Sequence, residues 1–441
     1  MSTGTLFVRD SRTGVKYDIP INRNAVRALD LKRITAPSEG ANRADQVSRG
    51  LRIYDPGLQN TAVLESAISF SDHESGELLF RGFSLEQLWE AEFEDMLHLM
   101  LWDVYPSADQ RTELSRRLGR YMQETPRAVH DAIHLLPRTT APLPLILAGL
   151  SAYLAAIPTP ICVSSLAHVY QQDPGLGDQI ILQTVAGYAV IFAAVRCHRK
   201  GIEFRAPSID STYRENLFVM AGLIDSSTQR PDPTKLSCYR RFALLNADHG
   251  MALSVFSALV TASSLTDPIS CLISAVAAAH GPLHFGATES AQRALNEIGN
   301  PESVPDFITE VKSGKRRLFG YGHREYKGVD PRVQFIRRIL QDLPTHSNPF
   351  FKIAEAIEAA ASNDEYFLSR GLHPNADFYG NFVFTGIGIE PEMIPAAMLT
   401  QRITGIMAHW RDYTVTRGKL FRPSHIYTGT TGVVTYPVAR I

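Results

Sequence analysis

The sequence predicts an almost all-α protein with small β pieces. Three observations carry that expectation: helix-starting punctuation recurs along the chain, apolar residues follow it at helical spacing, and strand signals are few. The chain has 441 residues, enough for a large core and for two or three domains.

The first elements are extended. Residues 6–9 and 15–19 flank the turn Asp10-Ser11-Arg12-Thr13-Gly14, and residues 67–70 and 78–80 flank Asp72-His73-Glu74-Ser75-Gly76. Both read as hairpins. Helices follow. Ser84 with Gln87 and Ser107 with Gln110 form capping boxes, each opening a segment of helical periodicity. Two apolar stretches, 143–157 and 180–195, fall short of the roughly 20 residues of a membrane span. Both carry small or polar residues (Gly149, Ser151, Gln183, Thr184) and read as buried core helices. Asp330-Pro331 sets an N-cap with proline at the first helical position. Val333, Ile336, Ile339, Leu340 and Leu343 then share one face up to Pro344. Asn348-Pro349 opens the next helix, with Ile353, Ala356, Ile357 and Ala360 inward. No repeat, low-complexity tract or long linker interrupts the chain.

Composition removes several function classes. Lys and Arg number 44 against 45 Asp and Glu, so no global field draws the chain to nucleic acid or to an anionic membrane. Any anion site must be local. Cys162, Cys197, Cys238 and Cys271 are far apart and never C-x-x-C, which argues against a disulfide framework and fits a reducing compartment. The N-terminus has no secretory apolar region, and Asp10 and Asp18 count against a mitochondrial presequence. A cytoplasmic location is therefore expected. The terminal Ala439-Arg440-Ile441 is a loose relative of the S-K-L peroxisomal address, weakened by its final Ile.

Three residues sit where chemistry is served better than packing. His284 lies in Gly281-Pro282-Leu283-His284-Phe285-Gly286, just after an apolar helix ending near Ala279, at a kinked junction that points side chains into clefts. His323 lies in Gly320-Tyr321-Gly322-His323-Arg324, where glycines let the backbone approach a ligand closely. Asp377 lies in Pro374-Asn375-Ala376-Asp377-Phe378-Tyr379, where flanking aromatics would desolvate it and raise its pKa toward that of a general base. Taken singly, each also reads as a packed or capping residue, so the constellation has to carry the case. Metal binding is the alternative these residues allow. His130/His134 and His280/His284 have i, i+4 spacing, but His130 lacks the Glu of H-E-x-x-H and Gly281-Pro282 breaks the second pair's helix. No G-x-S-x-G, Walker A or G-x-G-x-x-G occurs.

Six ordered segments resemble the citrate synthase family. Leu51–Gly57 with Phe80-Arg81-Gly82-Phe83 resembles its "YDPG" and "YRGY" stretches, and Ala247-Asp248-His249 its "ADHE" helix. GPLHFGATE at 281–289 resembles "GPLHGGANE", YGHREYKGVDPR at 321–332 resembles "FGHRVYKNYDPR", and PNADFY at 374–379 resembles "PNVDFY". Arg402 in QRITGIMAHW and Arg422 in LFRPSHIYTG match the closing arginine segments. The resemblance covers nearly the whole chain. It implies a two-domain helical fold, with 1–280 and 391–441 forming a large domain and 281–390 a small one that closes over substrate.

The resemblance also implies roles. Asp377 would take the α-proton of an acyl-CoA, His284 would hydrogen-bond the thioester oxygen, and His323 would polarise and protonate the oxaloacetate carbonyl. His249, Arg332, Arg402 and Arg422 would bind oxaloacetate, with Arg422 reaching in from the second subunit of a homodimer. Lys327 and Arg370 match basic positions near the CoA phosphates, and as exposed cations read equally as solvated surface. No metal or prosthetic cofactor is implied, since the CoA thioester is itself the substrate.

Departures cluster away from the keto-acid residues. The family's Glu after His249 is Gly250 and its Asn is Ala252. The Gly after His284 is Phe285, "AN" becomes Ala287-Thr288, Phe becomes Tyr321, and "RPRQ" carries Ser424 and His425. This pattern looks like the fungal alkylcitrate synthases, relatives that accept long acyl chains. Citrate synthase proper and 2-methylcitrate synthase are the alternatives. A catalytically dead paralogue is disfavoured because Asp377, His284 and His323 are all present.

Overall fold

The computed structural model describes residues 3–36, 50–72, 74–157, 169–285, 287–323, 326 and 328–429. They fall into two compact units, Met1–Glu65 with Arg422–Ile441, and Ser66–Phe421.

The first unit carries a three-stranded antiparallel sheet, β1 (Thr3–Arg9), β2 (Lys16–Asn22) and β3 (Ala25–Val26). Its first two strands pair from Thr3↔Asn22 to Arg9↔Lys16. Asp10 makes the expected hairpin. Its carbonyl accepts from Gly14, and its carboxylate grips the Arg12 guanidinium at 2.8 and 2.9 Å. Arg52 donates to the His425 carbonyl at 2.7 Å, tying the 422–429 segment into this unit.

The second unit begins with the antiparallel sheet β4 (Ser69–Asp72), β5 (Glu77–Phe80) and β6 (Phe83–Ser84), and its remaining elements are helical. Ser107 and Gln110 form the expected capping box of helix Ala108–Gln123. The Ser84–Gln87 box forms too, at 2.8 and 3.2 Å, but opens only a run of turns. A second box, Glu92 with Asp95, starts helix Phe93–Trp102 instead. Leu85, Leu88, Trp89 and Ala91 are buried in those turns, so local packing replaces the helix that the box alone predicts.

The 143–157 stretch is helix Pro142–Ala156. The 180–195 stretch extends into the 27-residue helix Pro174–Lys200, capped by Asp173 and ended by Gly201 at φ 66°. By length and composition alone that helix could cross a membrane, yet nearly all of its apolar stretch is buried. It packs on helices Ala108–Gln123, Pro142–Ala156 and Ile394–Val415. Burying such a helix on all sides is a large favourable term, at roughly 25 cal/mol per Å² of apolar surface.

Helix Arg332–Leu340 starts two residues after Asp330, whose carboxylate accepts from the Arg332 amide at 3.0 Å. All five residues assigned to its inner face are buried. Asn348 caps helix Pro349–Ala361. Its buried face runs through Phe351, Ile353, Ala354, Ile357 and Ala361 rather than Ala356 and Ala360, which stay partly exposed.

Candidate active site

The constellation is built by four helix ends and one long helix. Helix Pro233–Asn246 ends just before Asp248-His249, so the segment likened to a helix is a corner past its end. Gly250 follows at φ 58°, a left-handed conformation that favours glycine. The His249 Nε2 meets the Tyr326 hydroxyl at 3.1 Å, and its ring lies 5.0 Å from that of His323, edge to face.

His323 and Asp377 are joined by a short crossed ladder. The Gly322 amide donates to the His373 carbonyl (2.8 Å), the Asn375 amide to the Gly320 carbonyl (2.9 Å), and Asn375 Nδ2 to the Gly322 carbonyl (2.8 Å). Tyr321 and Pro374 bridge between them. Gly320 does permit a close approach, but by the protein itself. A Cβ there would stand 2.8 Å from Phe378 Cα. Asn375 then caps helix Ala376–Ile387 by accepting from the Asp377 amide at 2.9 Å.

Asp377 is half-buried, and burial raises its carboxyl pKa. Asp330 adds to the rise, while the Arg332 and Arg402 charges oppose it. This is the direction a general base needs.

Two buried arginines supply positive charge. Arg332 is held by Asp330 through Nε–Oδ1 (3.0 Å) and Nη2–Oδ2 (2.6 Å), and Asp330 Oδ2 also accepts from the Ala376 amide (3.1 Å). Burial alone would raise Asp330, but Arg332 holds it well below the usual carboxylate range. Arg402 projects from helix Ile394–Val415 and donates through Nε to the Asn246 carbonyl at 2.7 Å. Burial pushes its guanidinium down to about 10, with Asp248 and Asp377 opposing and Arg332 adding. It stays charged at neutral pH.

His284 sits in the turn after helix Pro268–Ala279, as the Gly281-Pro282 break predicts. Its Nε2 accepts from the Ser254 amide (3.3 Å) and meets Ser254 Oγ at 2.9 Å, at the start of helix Leu253–Ala262. Those bonds assign the proton to Nδ1. Burial and then the Arg402 charge push His284 down to about 4. His323 also falls to about 4, through burial and Arg332 against the opposing Asp330. His249 falls well below its ordinary value through burial, then Arg332, Arg402 and His323. The three imidazoles are therefore neutral at pH 7. Since His323 Nδ1 accepts from the Tyr326 amide at 3.2 Å, its Nε2 carries the donor hydrogen.

Phe285 is the departure with the clearest structural consequence. It is 5% exposed, its ring stacks on His284 with centroids 4.3 Å apart, and the Arg402 guanidinium carbon stands 5.7 Å from its centroid. A phenyl ring thus contacts both an imidazole and a buried cation. By contrast, a Cβ added at Gly250 would meet nothing within 4 Å.

His249, His284, His323, Arg332, Asp377 and Arg402 are thus linked by contacts and by charge. Arg422 belongs to the first unit and is exposed. Arg370 is exposed and stacks over Tyr366 at 4.0 Å. Lys327, Gly286 and Ala439-Arg440-Ile441 lie outside the described residues, as does Cys162. The His130/His134 pair does not converge: His134 Nδ1 stands 2.7 Å from the His130 carbonyl, and the two rings pack on Phe204 (His130) and His198 (His134). Among the described residues no group of three or more His, Cys, Asp or Glu converges as a metal site.

Sequence reasoning misses Tyr326, Ser254 and Asp330's grip on Arg332. Asp330 and Tyr326 have a local signal, lying two and three residues from Arg332 and His323 respectively. Ser254 has none, because its contact with His284 spans 30 residues.

The chain belongs to the citrate synthase family. The family model described as citrate synthase, C-terminal domain, matches residues 57–424. Among characterised relatives it is similar to the alkylcitrate synthase phiJ of a fungal species, at 44% identity over 97% of this chain and 94% of that protein. It is also similar to the alkylcitrate synthase tstJ of Talaromyces stipitatus, at 39% identity over 97% and 95%. Among solved structures, the citrate synthase of Thermoplasma acidophilum, in a ternary complex with carboxymethyl coenzyme A and oxaloacetate, superposes with a TM-score of 0.78. It is 25% identical and covers 87% of this chain and 98% of that one.

Proposed function

We propose that this protein is an alkylcitrate synthase, joining the α-carbon of an acyl-CoA longer than acetyl to the keto carbon of oxaloacetate and then hydrolysing the thioester. The observation that carries the reaction is one charge-coupled cluster of a carboxylate of raised pKa, two neutral imidazoles with assigned donor hydrogens, and two buried arginines.

Asp377 takes the α-proton, and the His284 Nδ1–H donates to the thioester oxygen on which negative charge develops. The resulting enolate carbon attacks the keto carbon, and the His323 Nε2–H supplies the proton that the new alkoxide takes up. The proton left on Asp377 is released to solvent, and His323 is reprotonated from it. Water then cleaves the thioester, giving a free carboxylate and CoA. Arg332 and Arg402 present planar forks to the oxaloacetate carboxylates, with His249 beside them. The CoA thioester is the substrate, and the chemistry calls for no metal or prosthetic group. Lys327 and Arg370 are proposed to meet the CoA phosphates.

The protein acts as a homodimer in which Arg422 completes the partner's site. In support, Arg422 stands in an exposed segment with Ile426 and Tyr427, and its unit also exposes Ile53 and Tyr54. Residues 281–390 act as a small domain that closes over oxaloacetate and excludes water. A cytoplasmic location is proposed, with the peroxisome as the alternative.

Acyl length is the finer part of the reading. Gly250 and Ala252 are small, while Phe285 packs on His284 with Arg402 beside it, and the alkyl chain is proposed to run along the 250–252 corner. Each buried methylene adds about 0.8 kcal/mol, nearly fourfold in binding. CoA release with oxaloacetate and acyl-CoAs from C2 to C12 tests this. The expected kcat/KM rises to an optimum beyond C3 and then falls. A steady decline from C2 would make the protein an ordinary citrate synthase, and an optimum at C3 alone a 2-methylcitrate synthase.

A further inference from the structure

One face of helix Ile394–Val415 grips three successive residues where helix Pro233–Asn246 ends. Arg402 Nε bonds the Asn246 carbonyl (2.7 Å), the Gly405 amide bonds the Ala247 carbonyl (2.9 Å), and His409 Nε2 meets Asp248 Oδ2 (3.2 Å). Positions 402, 405 and 409 recur at three- and four-residue spacing, which places them on one side of the helix. The next residue after the gripped three is His249.

Asp248 is 0% exposed. Its Oδ2 also accepts from Ser69 Oγ at 2.5 Å and from the Gly250 amide at 3.0 Å. One carboxylate therefore holds the chain on both sides of His249. Burial alone would raise that carboxyl, but His409, Arg402 and Ser69 hold it at about 2, so it is an anion at neutral pH. Gly405 makes the approach possible. A Cβ there would stand 2.4 Å from Asp248 Oδ1 and 2.5 Å from the Ala247 carbonyl oxygen.

We propose that Asp248 and His409 are positioning residues that hold His249 against Tyr326 and His323 and thereby set the affinity for oxaloacetate. The proposal rests on the reading of His249 as an oxaloacetate contact. A buried carboxylate stripped of one hydrogen-bond partner is expected to let the 246–250 corner shift, and His249 with it.

Steady-state kinetics of His409→Leu, His409→Gln, His249→Ala and the double variant His249→Ala/His409→Leu test it. His409→Leu should raise the KM for oxaloacetate about tenfold or more, with kcat and the KM for acyl-CoA within about threefold. His409→Gln keeps an N–H for Asp248 and should restore most of the affinity. In the His249→Ala background, His409→Leu should change the oxaloacetate KM no further, because the two act through one group. A fall in kcat with unchanged KM, as loss of folded protein would give, overturns the proposal. Additive effects in the double variant overturn it as well. If His409→Leu does not fold, Ser69→Ala, which removes another donor to Asp248, carries the same comparison. If His249→Ala itself leaves the oxaloacetate KM unchanged, the role of His249 falls and the positioning role with it. If His249→Ala raises the KM while His409→Leu does not, the positioning role alone falls.

Discussion

Acid should destabilise this protein through two histidines of the candidate site. His284 and His323 are pushed from an ordinary 6.5 to about 4 in the folded chain, first by burial and then by Arg402 and Arg332 respectively. Between those values the unfolded chain binds a proton at each site that the folded chain refuses. Stability is therefore full above pH 6.5 and is lost as pH falls toward 4. Going from pH 7 to pH 5, each histidine should withdraw about 2 kcal/mol, approaching about 3 kcal/mol near pH 4. Urea unfolding at pH 7 and pH 5, at one protein concentration, measures this for the wild type, His284→Gln and His323→Gln. Carboxylates that titrate over the same range contribute equally to all three proteins and cancel in the difference. Each variant should lose about 2 kcal/mol less than the wild type on acidification. Losses parallel to the wild type's would refute the claim that these imidazoles are held neutral by their surroundings.

Asp377→Asn should lower the CoA-release rate by about 10²–10⁴-fold while leaving oxaloacetate binding near normal, the usual effect of removing a positioned base. Isothermal titration with oxaloacetate and a turnover assay separate the two quantities. Asp330→Asn keeps the shape of the side chain but leaves Arg332 buried without its anion. It should cost about 3–5 kcal/mol of unfolding free energy, read from the urea midpoint, and bound oxaloacetate should recover part of the loss. Mixing an Arg422→Ala chain with an Asp377→Asn chain should restore partial activity once subunits exchange, since one hybrid site then holds both groups. No recovery after demonstrated exchange would remove Arg422 from the partner's site.

Helix starts are the most legible part of the fold, because capping chemistry is local. Ser107, Asn348 and Asp330 act within three residues of themselves, and each begins a helix at or within two residues of its expected place. Ser84 marks the limit of local chemistry. Its box closes, but burial of Leu85 and Leu88 keeps the next residues in turns. The site is legible as a set of motifs and illegible as an arrangement. Nothing near Asp248 announces His409, 161 positions along the chain. Nothing at Phe285 announces that its ring will pack on His284 and meet Arg402. Gly320 reads as room for a ligand, and the room is taken by Phe378. Pairings of that kind arise only once packing has brought distant segments together.

The crossed ladder between 320–322 and 373–375 has a consequence for the tolerances of the reaction. Asp377, the proposed base, and His323, proposed to polarise the electrophile, are both mounted on it, Asp377 two residues from one rail and His323 next to the other. Any drift of that region is then a common-mode displacement. It moves acid and base together and leaves their mutual registration unchanged. The residues proposed to bound the acyl chain, Gly250, Ala252 and Phe285, are not mounted on it. A catalyst divided in this way can be retuned for a different donor by altering the wall alone, without realigning the pair of groups whose spacing sets the chemistry.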